Sequence, residues 1–596
     1  MVCYRSKTKE NIMELLSGNE AIAQGAWEAG AHIGVAYPGT PSTETMECFA
    51  RKENVYAEWS PNEKVALEVA IGASAAGARV LATMKHVGVN VAADPLFTVA
   101  YTGITGGMLI MAADDPGMHS SQNEQDSRFY AMAARIPLLE PADSQEALDY
   151  TRSAYELSEK FDVPFFIRST VRVSHTKTPV TVGNRKEAPL KPYESNPSKW
   201  VMMPAFAKTR RTVQDQRVAE LEKWVEDCHF NTITQGNSNI GIICAGATYQ
   251  HVAEALPQAH IFKLGISWPL PKKSLVDFSQ SVDEVYVIEE ASDYLSLQVK
   301  ALGIILSEPP HFLSKAGELT PGAIRGAFGY EMPSHVDLAD DLPGRPPALC
   351  PGCPHRLVFS ELRRMKAIVT GDIGCYTLGA LPPLSAMDTC IDMGASISMA
   401  HGFQLALEGS NNLRPIVAVI GDSTFAHSGF SSLVGSAYNK GTGTVVILDN
   451  RTTAMTGRQG NPFNGITLQN RPSRELNIEA LVLSLGIEDV RTLDPFDAKA
   501  VRSALKDATS NTQLSVLIFR SPCVLLERKR KSPYAVNENC QACGVCTSLG
   551  CPAISTDENT QHAIIDEVLC IGCGQCIQYC KFNAIKRVSE EGDLND

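Results

Sequence analysis

The chain has 596 residues, with 66 acidic and 53 basic side chains and a formal net charge of −13. A chain of this length is expected to form several domains rather than one core. The acidic balance gives no reason to expect binding to nucleic acid or to an anionic membrane. No apolar run approaches the roughly 18–20 residues of a spanning helix, and residues 1–18 lack the apolar core of a signal peptide. We therefore expect a cytoplasmic protein.

Residues 1–182 have the pattern of an α/β domain. Apolar runs at 33–37, 80–84 and 107–112 predict buried strands, and residues 63–77 have helical spacing. The first run is followed by the turn PGTPSTE, which includes Gly39 and Thr40. Because sites in open parallel sheets lie beyond the carboxyl ends of the strands, this turn is a candidate binding segment.

The middle of the chain has fewer signals. Residues 183–234 are charged and contain prolines, which predicts a linker with an exposed helix near residues 213–227. Residues 235–340 predict a second, small α/β domain, with strands at 240–244 and 284–288. The proline- and glycine-rich run at 341–349 marks the next boundary.

The segment RPIVAVIGDSTFAHSGFSSLVGSAYNKGTGTVVILDN contains two apolar runs, 416–420 and 444–448, on either side of a helical stretch. This pattern predicts a βαβ unit, with Asp422 and Asn450 at neighbouring strand ends. A carboxylate, an amide oxygen and a main-chain carbonyl are the ligands that Mg²⁺ prefers when it is anchored to a diphosphate. The alternative is an ordinary pair of turns capped by Asp and Asn.

Eight of the 17 cysteines lie within 41 residues near the carboxyl terminus. Their spacing is that of a bacterial ferredoxin with two clusters, in which the fourth cysteine of each run binds the other cluster. This rule groups one set as Cys540, Cys543, Cys546 and Cys580, and the other as Cys570, Cys573, Cys576 and Cys551. The first run has one extra residue before its fourth cysteine, and the second lacks the usual proline after it. The alternative is that these cysteines bind zinc instead of iron–sulfur clusters.

A further cysteine pair, Cys350 and Cys353, opens the segment CPGCPHR. A pair at this spacing is typical of a zinc site or a redox-active dithiol. The alternative is a pair of buried structural thiols, because free cysteine is commonly buried.

Several segments resemble one family. GDS, followed by an asparagine 28 residues after its aspartate, resembles the GDG-to-Asn diphosphate motif of thiamine diphosphate enzymes, with Ser423 in place of glycine. WSPNEKVALEVAIGAS and YPGTPSTE resemble the pyrimidine domain of the 2-oxoacid:ferredoxin oxidoreductases. MGASISMAHG, which contains Gly394, resembles the small-residue segment that approaches the cofactor in that family. Three further segments are most similar to the large subunits of the indolepyruvate branch of that family: QNEQDSR, LCPGCPHR and LDNRTTAMTG.

The resemblance implies an α/β protein with two doubly wound domains of the thiamine diphosphate-binding type. These are a pyrimidine domain at 1–182 and a diphosphate domain at 345–526. It also implies a small transketolase C-terminal-like domain at 235–340 and an α+β ferredoxin domain with two 4Fe-4S clusters at 532–590.

The resemblance also assigns roles to residues. Glu63 would activate the thiamine through its aminopyrimidine ring, although a carboxylate in the first turn of a helix also interacts favourably with the helix dipole. Thr40 would contact the substrate, and we expect Gly39 to select aryl side chains. The diphosphate site, with its Mg²⁺ held by Asp422, Asn450 and the Thr452 carbonyl, also includes Gly421, Ser423 and Gly394. A third, proximal cluster would have the ligands Cys350, Cys353, Cys375 and Cys523.

The activity implied is the coenzyme A-dependent oxidative decarboxylation of arylpyruvates, chiefly indolepyruvate, with ferredoxin as electron acceptor. We also expect a smaller β subunit and an α2β2 assembly, because no stretch here supplies the γ-type domain of relatives. Three alternatives stay open. They are another 2-oxoacid, such as pyruvate, phenylglyoxylate or a branched-chain acid, a non-oxidative thiamine diphosphate decarboxylase, and an electron-transfer protein without catalysis.

Overall fold

The structure, a computed structural model, describes residues 12–331, 342, 344, 346–410, 414–526 and 530–588. The chain divides into two compact units, with the boundary between residues 337 and 338. Both units combine helices with largely parallel sheets, which confirms the predicted α/β class. Among the described residues, no helix is long and apolar enough to cross a membrane.

The first unit contains thirteen strands and fourteen α-helices in its described part. The strands are β1 (Ile12–Ser17), β2 (Ile33–Ala36), β3 (Tyr56–Trp59), β4 (Val80–Lys85), β5 (Met108–Asp114), β6 (Leu138–Leu139), β7 (Phe165–Thr170), β8 (Lys177–Val182), β9 (Thr232–Thr234), β10 (Ile240–Ala245), β11 (His260–Leu264), β12 (Ile266–Trp268) and β13 (Glu284–Val287). The helices are α1 (Gly18–Glu28), α2 (Thr43–Ala50), α3 (Glu63–Ala75), α4 (His86–Val91), α5 (Ala93–Thr102), α6 (Arg128–Ala134), α7 (Ser144–Phe161), α8 (Val171–His175), α9 (Pro197–Trp200), α10 (Pro204–Glu226), α11 (Thr248–Ala255), α12 (Lys272–Gln280), α13 (Tyr294–Ala301) and α14 (Pro321–Ala327).

The main sheet of this unit has seven strands in the order β12-β6-β7-β5-β4-β2-β3. All neighbours are parallel except β12, which pairs antiparallel with β6. The predicted strands at 33–37, 80–84 and 107–112 are confirmed as β2, β4 and β5, whose apolar runs are buried. A second sheet has the order β13-β10-β11-β9, and strands β1 and β8 form a separate antiparallel pair.

Helix α10 differs from the exposed helix predicted near residues 213–227. Leu221 and Val225, four residues apart, are fully buried, so one face of the helix packs into the unit. Arg217 on the same face donates to the Ala100 carbonyl at 3.1 Å and forms an ion pair with Asp162. The prediction of an exposed helix was wrong for this face, because its few apolar side chains recur at helical spacing within a charged sequence.

The second unit has a six-stranded sheet with helices on both sides. Its strands are β14 (Ile368–Gly371), β15 (Thr389–Cys390), β16 (Ile416–Gly421), β17 (Gly443–Asp449), β18 (Asp489–Leu493) and β19 (Leu514–Arg520), followed by the shorter β20 (Tyr534–Val536), β21 (Ile554–Thr556), β22 (Ala563–Ile565) and β23 (Ile585–Arg587). Its α-helices are α15 (His355–Arg364), α16 (Ala395–Leu407), α17 (Asp422–Thr424), α18 (Phe430–Tyr438), α19 (Ile478–Leu483) and α20 (Ala498–Thr509). The 3-10 helices are Cys375–Ala380, Thr547–Leu549 and Cys576–Tyr579, and a π-helical turn spans Phe425–Gly429.

The six-stranded sheet has the order β15-β14-β16-β17-β19-β18 and is parallel throughout. The predicted strands at 416–420 and 444–448 are confirmed as the adjacent β16 and β17. Beyond this sheet, β20 pairs with β23 and β21 with β22 in two antiparallel ribbons. Tyr534, Leu549 and Tyr579 from this last part share one apolar core with Leu357 and Leu517 of the sheet layer. The cysteine-rich part therefore packs directly on the sheet domain.

Candidate functional site

Asp422 and Asn450 follow neighbouring parallel strands of the second unit. Gly421 in β16 pairs with Leu448 in β17, so both side chains lie just beyond the carboxyl edge of the sheet. Asp422 is 2% exposed and Asn450 is 7% exposed. The helix after β16 contains a π-helical turn at Phe425–Gly429, a feature that occurs frequently at functional sites. The predicted pair of polar side chains is therefore brought together at one edge.

The Asp422 carboxylate is buried beside a second carboxylate. The main-chain N–H of Ser423 donates to its Oδ1 at 2.8 Å, and Asn461 Nδ2 donates to its Oδ2 at 3.0 Å. Burial and the neighbouring charge of Asp449 raise the pKa of Asp422. Asp449 has a cation of its own, because Arg520 Nε lies 2.6 Å from its Oδ2. Asp422 forms no such ion pair within the described residues. Its buried carboxylate oxygens are therefore of the kind that Mg²⁺ binds.

The amide of Asn450 is held by two neighbours. Its Nδ2 lies 3.3 Å from Nε2 of the buried His355, and its Oδ1 accepts from the N–H of Thr452 at 3.2 Å. Thr452 is also buried, and its hydroxyl donates to the Gln459 carbonyl at 3.0 Å. Ser423 accepts a hydrogen bond from Thr453 at 2.8 Å, which links the two strand ends.

Gly394 lies where the chain enters helix α16. It has a φ of +96°, and a Cβ at this position would lie 2.4 Å from Cβ of Ser428, so only glycine fits. Asp372 anchors the entry by accepting from the N–H groups of Gly394 at 2.8 Å and Ser396 at 3.1 Å. Burial raises the pKa of Asp372 to about 6, and these hydrogen bonds act in the opposite direction.

Glu63 begins helix α3 in the first unit, at the carboxyl end of strand β3. It is 4% exposed, and the side chain of Asn62 caps the helix by accepting from the N–H of Val65 at 2.9 Å. A Cβ on Gly88 of helix α4 would lie 2.6 Å from Glu63 Oε1. The carboxyl group thus packs closely against α4, in a space that only a glycine at 88 leaves open.

Gly39 and Thr40 lie in the turn after strand β2. The Thr40 carbonyl accepts from the Ser120 hydroxyl at 3.4 Å, and a Cβ on Gly39 would lie 3.1 Å from Cβ of Lys85. Lys85 ends strand β4, is buried, and donates to the Ser120 carbonyl at 2.7 Å. Burial lowers the pKa of Lys85 to about 8, while the charges of Asp115 and Glu63 act in the opposite direction. The turn, Lys85 and Glu63 therefore share the carboxyl edge of one sheet.

The eight carboxy-terminal cysteines lie around two separate cavities. One cavity is lined by Cys540, Cys543, Cys546 and Cys580 together with apolar side chains. The other is lined by Cys551, Cys570, Cys573 and Cys576. These are the two sets that the spacing predicts. No three described His, Cys, Asp or Glu side chains converge to hold one metal ion, whereas each iron of a 4Fe-4S cluster takes its own thiolate.

The four cysteines predicted to bind a proximal cluster influence pKa values within the group. They are Cys350, Cys353, Cys375 and Cys523. Burial is the main cause that raises the pKa of Cys353 to about 12; Cys350 and Cys375 act in the same direction, and the charge of Arg356 acts in the opposite one. Burial raises the pKa of Cys375 to about 11, with further contributions from Cys523 and Cys350. All four carry free thiols in this structure. The chain thus brings together thiols that are up to 173 residues apart, from residue 350 to residue 523.

Several residues of these sites were not predicted. They are His355 and Arg356 of CPGCPHR, Asp372 of GDIG, Asn461 and Lys85. A signal was present for His355 and Arg356, because they lie within three residues of a cysteine pair, and for Lys85, because it follows a predicted strand. Asp372 and Asn461 have no sequence pattern that would indicate their hydrogen bonds.

Three family models match parts of the chain. Residues 24–235 match the thiamine diphosphate-binding domain of pyruvate flavodoxin/ferredoxin oxidoreductase, and residues 372–519 match the C-terminal binding domain of thiamine pyrophosphate enzymes. Residues 563–586 match a 4Fe-4S binding domain. The cofactors of these domains are thiamine diphosphate and iron–sulfur clusters.

Curated relatives match nearly the whole chain. Indolepyruvate oxidoreductase subunit IorA of Archaeoglobus fulgidus is 39% identical, over 96% of this chain and 97% of the relative. The protein of that name from Pyrococcus horikoshii is 39% identical, over 97% of each chain. A solved 2-oxoglutarate:ferredoxin oxidoreductase from Magnetococcus marinus is 18% identical, over 53% of this chain and 64% of that one, with a TM-score of 0.45. The chain belongs to the indolepyruvate oxidoreductase subunit family, within the thiamine diphosphate-dependent 2-oxoacid:ferredoxin oxidoreductases.

Proposed function

We propose that the chain catalyses the coenzyme A-dependent oxidative decarboxylation of arylpyruvates, chiefly indolepyruvate, and passes the electrons to ferredoxin. The products are the aryl-acetyl-CoA, carbon dioxide and reduced ferredoxin. The indolepyruvate substrate is supported by relatives that match over nearly the full length and are named indolepyruvate oxidoreductase subunits. The single observation that carries the redox part is the arrangement of eight cysteines around two cavities, packed on the thiamine diphosphate-type domain.

Residues of each unit have a separate role in the proposed reaction. When bound, thiamine diphosphate would supply a nucleophilic carbon and an electron sink for the loss of carbon dioxide. Glu63, whose carboxyl group is buried, would hydrogen-bond to the aminopyrimidine ring and so activate the thiamine. Asp422, Asn450 and the Thr452 carbonyl would hold the Mg²⁺ that anchors the diphosphate, beside Gly421, Ser423 and Gly394. Thr40 binds the 2-oxoacid, and Gly39 leaves space for an aryl side chain.

The cysteines of the chain would hold three 4Fe-4S clusters, which would carry the electrons. Two would occupy the cysteine-lined cavities of the ferredoxin part, with the ligand sets given above. A third is bound by Cys350, Cys353, Cys375 and Cys523, which the mutual influence of their thiols supports. Iron analysis of the reconstituted protein tests this count, because three clusters contain about twelve irons and two contain about eight. A Cys523→Ser variant that retained all the iron would remove the third cluster from the proposal.

A partner subunit is part of the proposal. The relatives are named as subunits, and the chain works with a smaller β subunit in an α2β2 assembly. Full turnover measured with this chain alone would contradict that assembly.

The experiment that tests the substrate is a comparison of kcat/KM values for indolepyruvate, phenylglyoxylate, pyruvate and a branched-chain 2-oxoacid, with coenzyme A, ferredoxin and the partner subunit present. Mass spectrometry of the acyl-CoA identifies the product. We expect indolepyruvate to give the highest kcat/KM and to yield indoleacetyl-CoA. A higher value for any other acid would overturn the substrate, and release of an aldehyde would overturn the oxidative reaction.

A further inference from the structure

Arg356 is a fully buried arginine in helix α15, and its hydrogen bonds among the described residues go to main-chain carbonyl groups. Its Nη1 donates to the Leu549 carbonyl at 2.9 Å and also to the Gly550 carbonyl. Its Nη2 donates to the carbonyls of Leu349 at 2.6 Å and Cys350 at 2.9 Å. The guanidinium thus ties the start of the CPGCPHR segment to the ferredoxin part of the chain.

The same arginine lines the cavity of the second cysteine set. Arg356 forms part of the wall that contains Cys551, Cys570, Cys573 and Cys576. The contact between the two cysteine regions is close, because a Cβ on Gly352 would lie 2.1 Å from Cδ1 of Ile571. Among the described residues, Arg356 is the basic side chain that lines this cavity.

No carboxylate in the described part of the chain pairs with the positive charge of Arg356. All four hydrogen bonds of its guanidinium within the described residues go to carbonyl oxygens. An arginine stays charged at every accessible pH, and a buried charge without a counter-charge is costly. Its Nε is a buried donor for which the described residues provide no acceptor. Both features indicate an anionic group with acceptor atoms in the adjoining cavity.

A 4Fe-4S cluster with four thiolate ligands is such a group. It carries net negative charge, which increases by one electron on reduction, and its sulfur atoms accept hydrogen bonds. Net charge and hydrogen bonds to the sulfurs are two of the factors that set cluster potentials. A fixed cation beside the cavity therefore favours the reduced form of that cluster.

We propose that Arg356 raises the reduction potential of the cluster bound by Cys551, Cys570, Cys573 and Cys576, through its positive charge and its Nε donor, neither of which has a partner among the described side chains. The proposal rests on the cluster assignment in the proposed function. Arg356 is a positioning residue for electron transfer, because it binds neither the substrate nor iron.

The test is a redox titration of the whole chain with its partner subunit, monitored by electron paramagnetic resonance and using a chemical reductant instead of a 2-oxoacid. The variants are Arg356→Met, which removes the charge, and Arg356→Lys, which keeps it. Arg363→Met is the matched control, because Arg363 lies on the same helix with an exposed side chain. Iron content is measured for each variant.

For Arg356→Met with full iron content, we expect the midpoint potential of one cluster to become more negative. The ratio of reduced to oxidised cluster at a fixed solution potential should fall about tenfold, equivalent to about 59 mV for one electron. Arg356→Lys should show a smaller shift, and Arg363→Met none. Unchanged potentials in Arg356→Met would overturn the proposal, as would an equal shift in Arg363→Met.

If Arg356→Met loses iron, the unmodified protein provides the test. Protein labelled with nitrogen-15 in arginine should show a hyperfine coupling between that nitrogen and the reduced cluster. Absence of the coupling would overturn the proposal. Because no substrate is used, an error in the proposed substrate leaves both results unaffected. A wild-type chain that binds no iron would remove the cluster assignment and this proposal together.

Discussion

His355 Nε2 lies 3.3 Å from Asn450 Nδ2, in the buried interior of the second unit. Because an amide nitrogen can only donate, the histidine nitrogen must accept, and the ring must be neutral at that atom. Burial lowers the pKa of His355 to about 4, which keeps the ring neutral at physiological pH. The contact therefore fixes the amide of Asn450 with its oxygen turned away from the histidine.

The first prediction concerns His355→Leu. Loss of the acceptor should free the Asn450 amide to rotate and weaken binding of the Mg²⁺–thiamine diphosphate pair by roughly 10–100-fold, the usual effect of removing a group that orients a metal ligand. Calorimetric titration of the cofactor-free protein measures this change. His562→Leu, in the ferredoxin part, is the control and should bind normally. Unchanged affinity in His355→Leu would contradict the role.

The second prediction is a pH dependence of stability. The pKa of His355 is about 4 in the folded protein, against about 6.5 for an unperturbed histidine. Between these values the unfolded state binds more protons, so the free energy of unfolding falls as pH drops from about 6.5 to about 4, by up to about 3 kcal/mol. Above this window the contribution is constant.

Urea unfolding of the cofactor-free wild type and of His355→Leu at pH 7 and pH 5 checks this dependence. Asp372 and Asp422 have raised pKa values and act in the opposite direction, but they are common to both proteins. The wild type should therefore lose more stability than the variant between the two pH values. Equal losses would show that His355 is not buried in its neutral form.

The third prediction contrasts two neighbouring carboxylates. Asp422→Asn removes a buried charge that pairs with no cation in the described ranges, so the cofactor-free protein should be at least as stable as the wild type. Its affinity for Mg²⁺ and thiamine diphosphate should fall on the order of 100-fold, the loss of a charged contact. Asp449→Asn breaks the 2.6 Å ion pair with Arg520 and should destabilise the protein. The reverse order of stabilities would contradict the cation site.

The fourth prediction concerns a buried ion pair in the first unit. Arg168, which is 5% exposed, donates to Asp114 at 2.6 Å and to Glu140 at 2.8 Å. Arg168→Met leaves two carboxylates without this cation and should lower the free energy of unfolding by about 3–5 kcal/mol. Arg172→Met, which removes a half-exposed pair with Glu318, is the control and should cost at most about 1 kcal/mol. Chemical denaturation measures both values, and equal losses would contradict the distinction.

The fifth prediction concerns substrate selectivity at Gly39. Gly39→Ile adds a branched side chain next to Lys85. The Cβ of the new isoleucine would lie 3.1 Å from the Cβ of Lys85. The kcat/KM value for indolepyruvate should fall roughly 100-fold relative to that for pyruvate. Gly72→Ala is the control, because a Cβ there meets nothing within 4 Å. Normal turnover of indolepyruvate by Gly39→Ile would rule out this role of Gly39.

Patterns local to the sequence predicted much of the fold. The apolar runs before Asp422 and Asn450 are short, buried and bounded by polar residues, so they identify adjacent parallel strands without further information. The ferredoxin cysteines are equally local, because their spacing alone separates them into the two sets found around the two cavities.

Long-range pairing could not be predicted in the same way. Strand β12 comes from the segment assigned to a separate small domain, yet it joins the main sheet of the first unit beside β6. His355 and Asn450 are 95 residues apart, and Arg356 binds a carbonyl 193 residues away at Leu549. Such contacts depend on how sheets and loops pack, and a residue's own neighbours in the sequence do not encode them.

The oxidative reaction can be tested by the anaerobic absorption spectrum of the reconstituted chain with its partner subunit, before and after addition of indolepyruvate and coenzyme A. We expect the iron–sulfur absorption to bleach as the clusters are reduced and to recover when ferredoxin is added. Full cluster content without bleaching, but with release of carbon dioxide, would contradict the oxidative reaction and identify a non-oxidative decarboxylase.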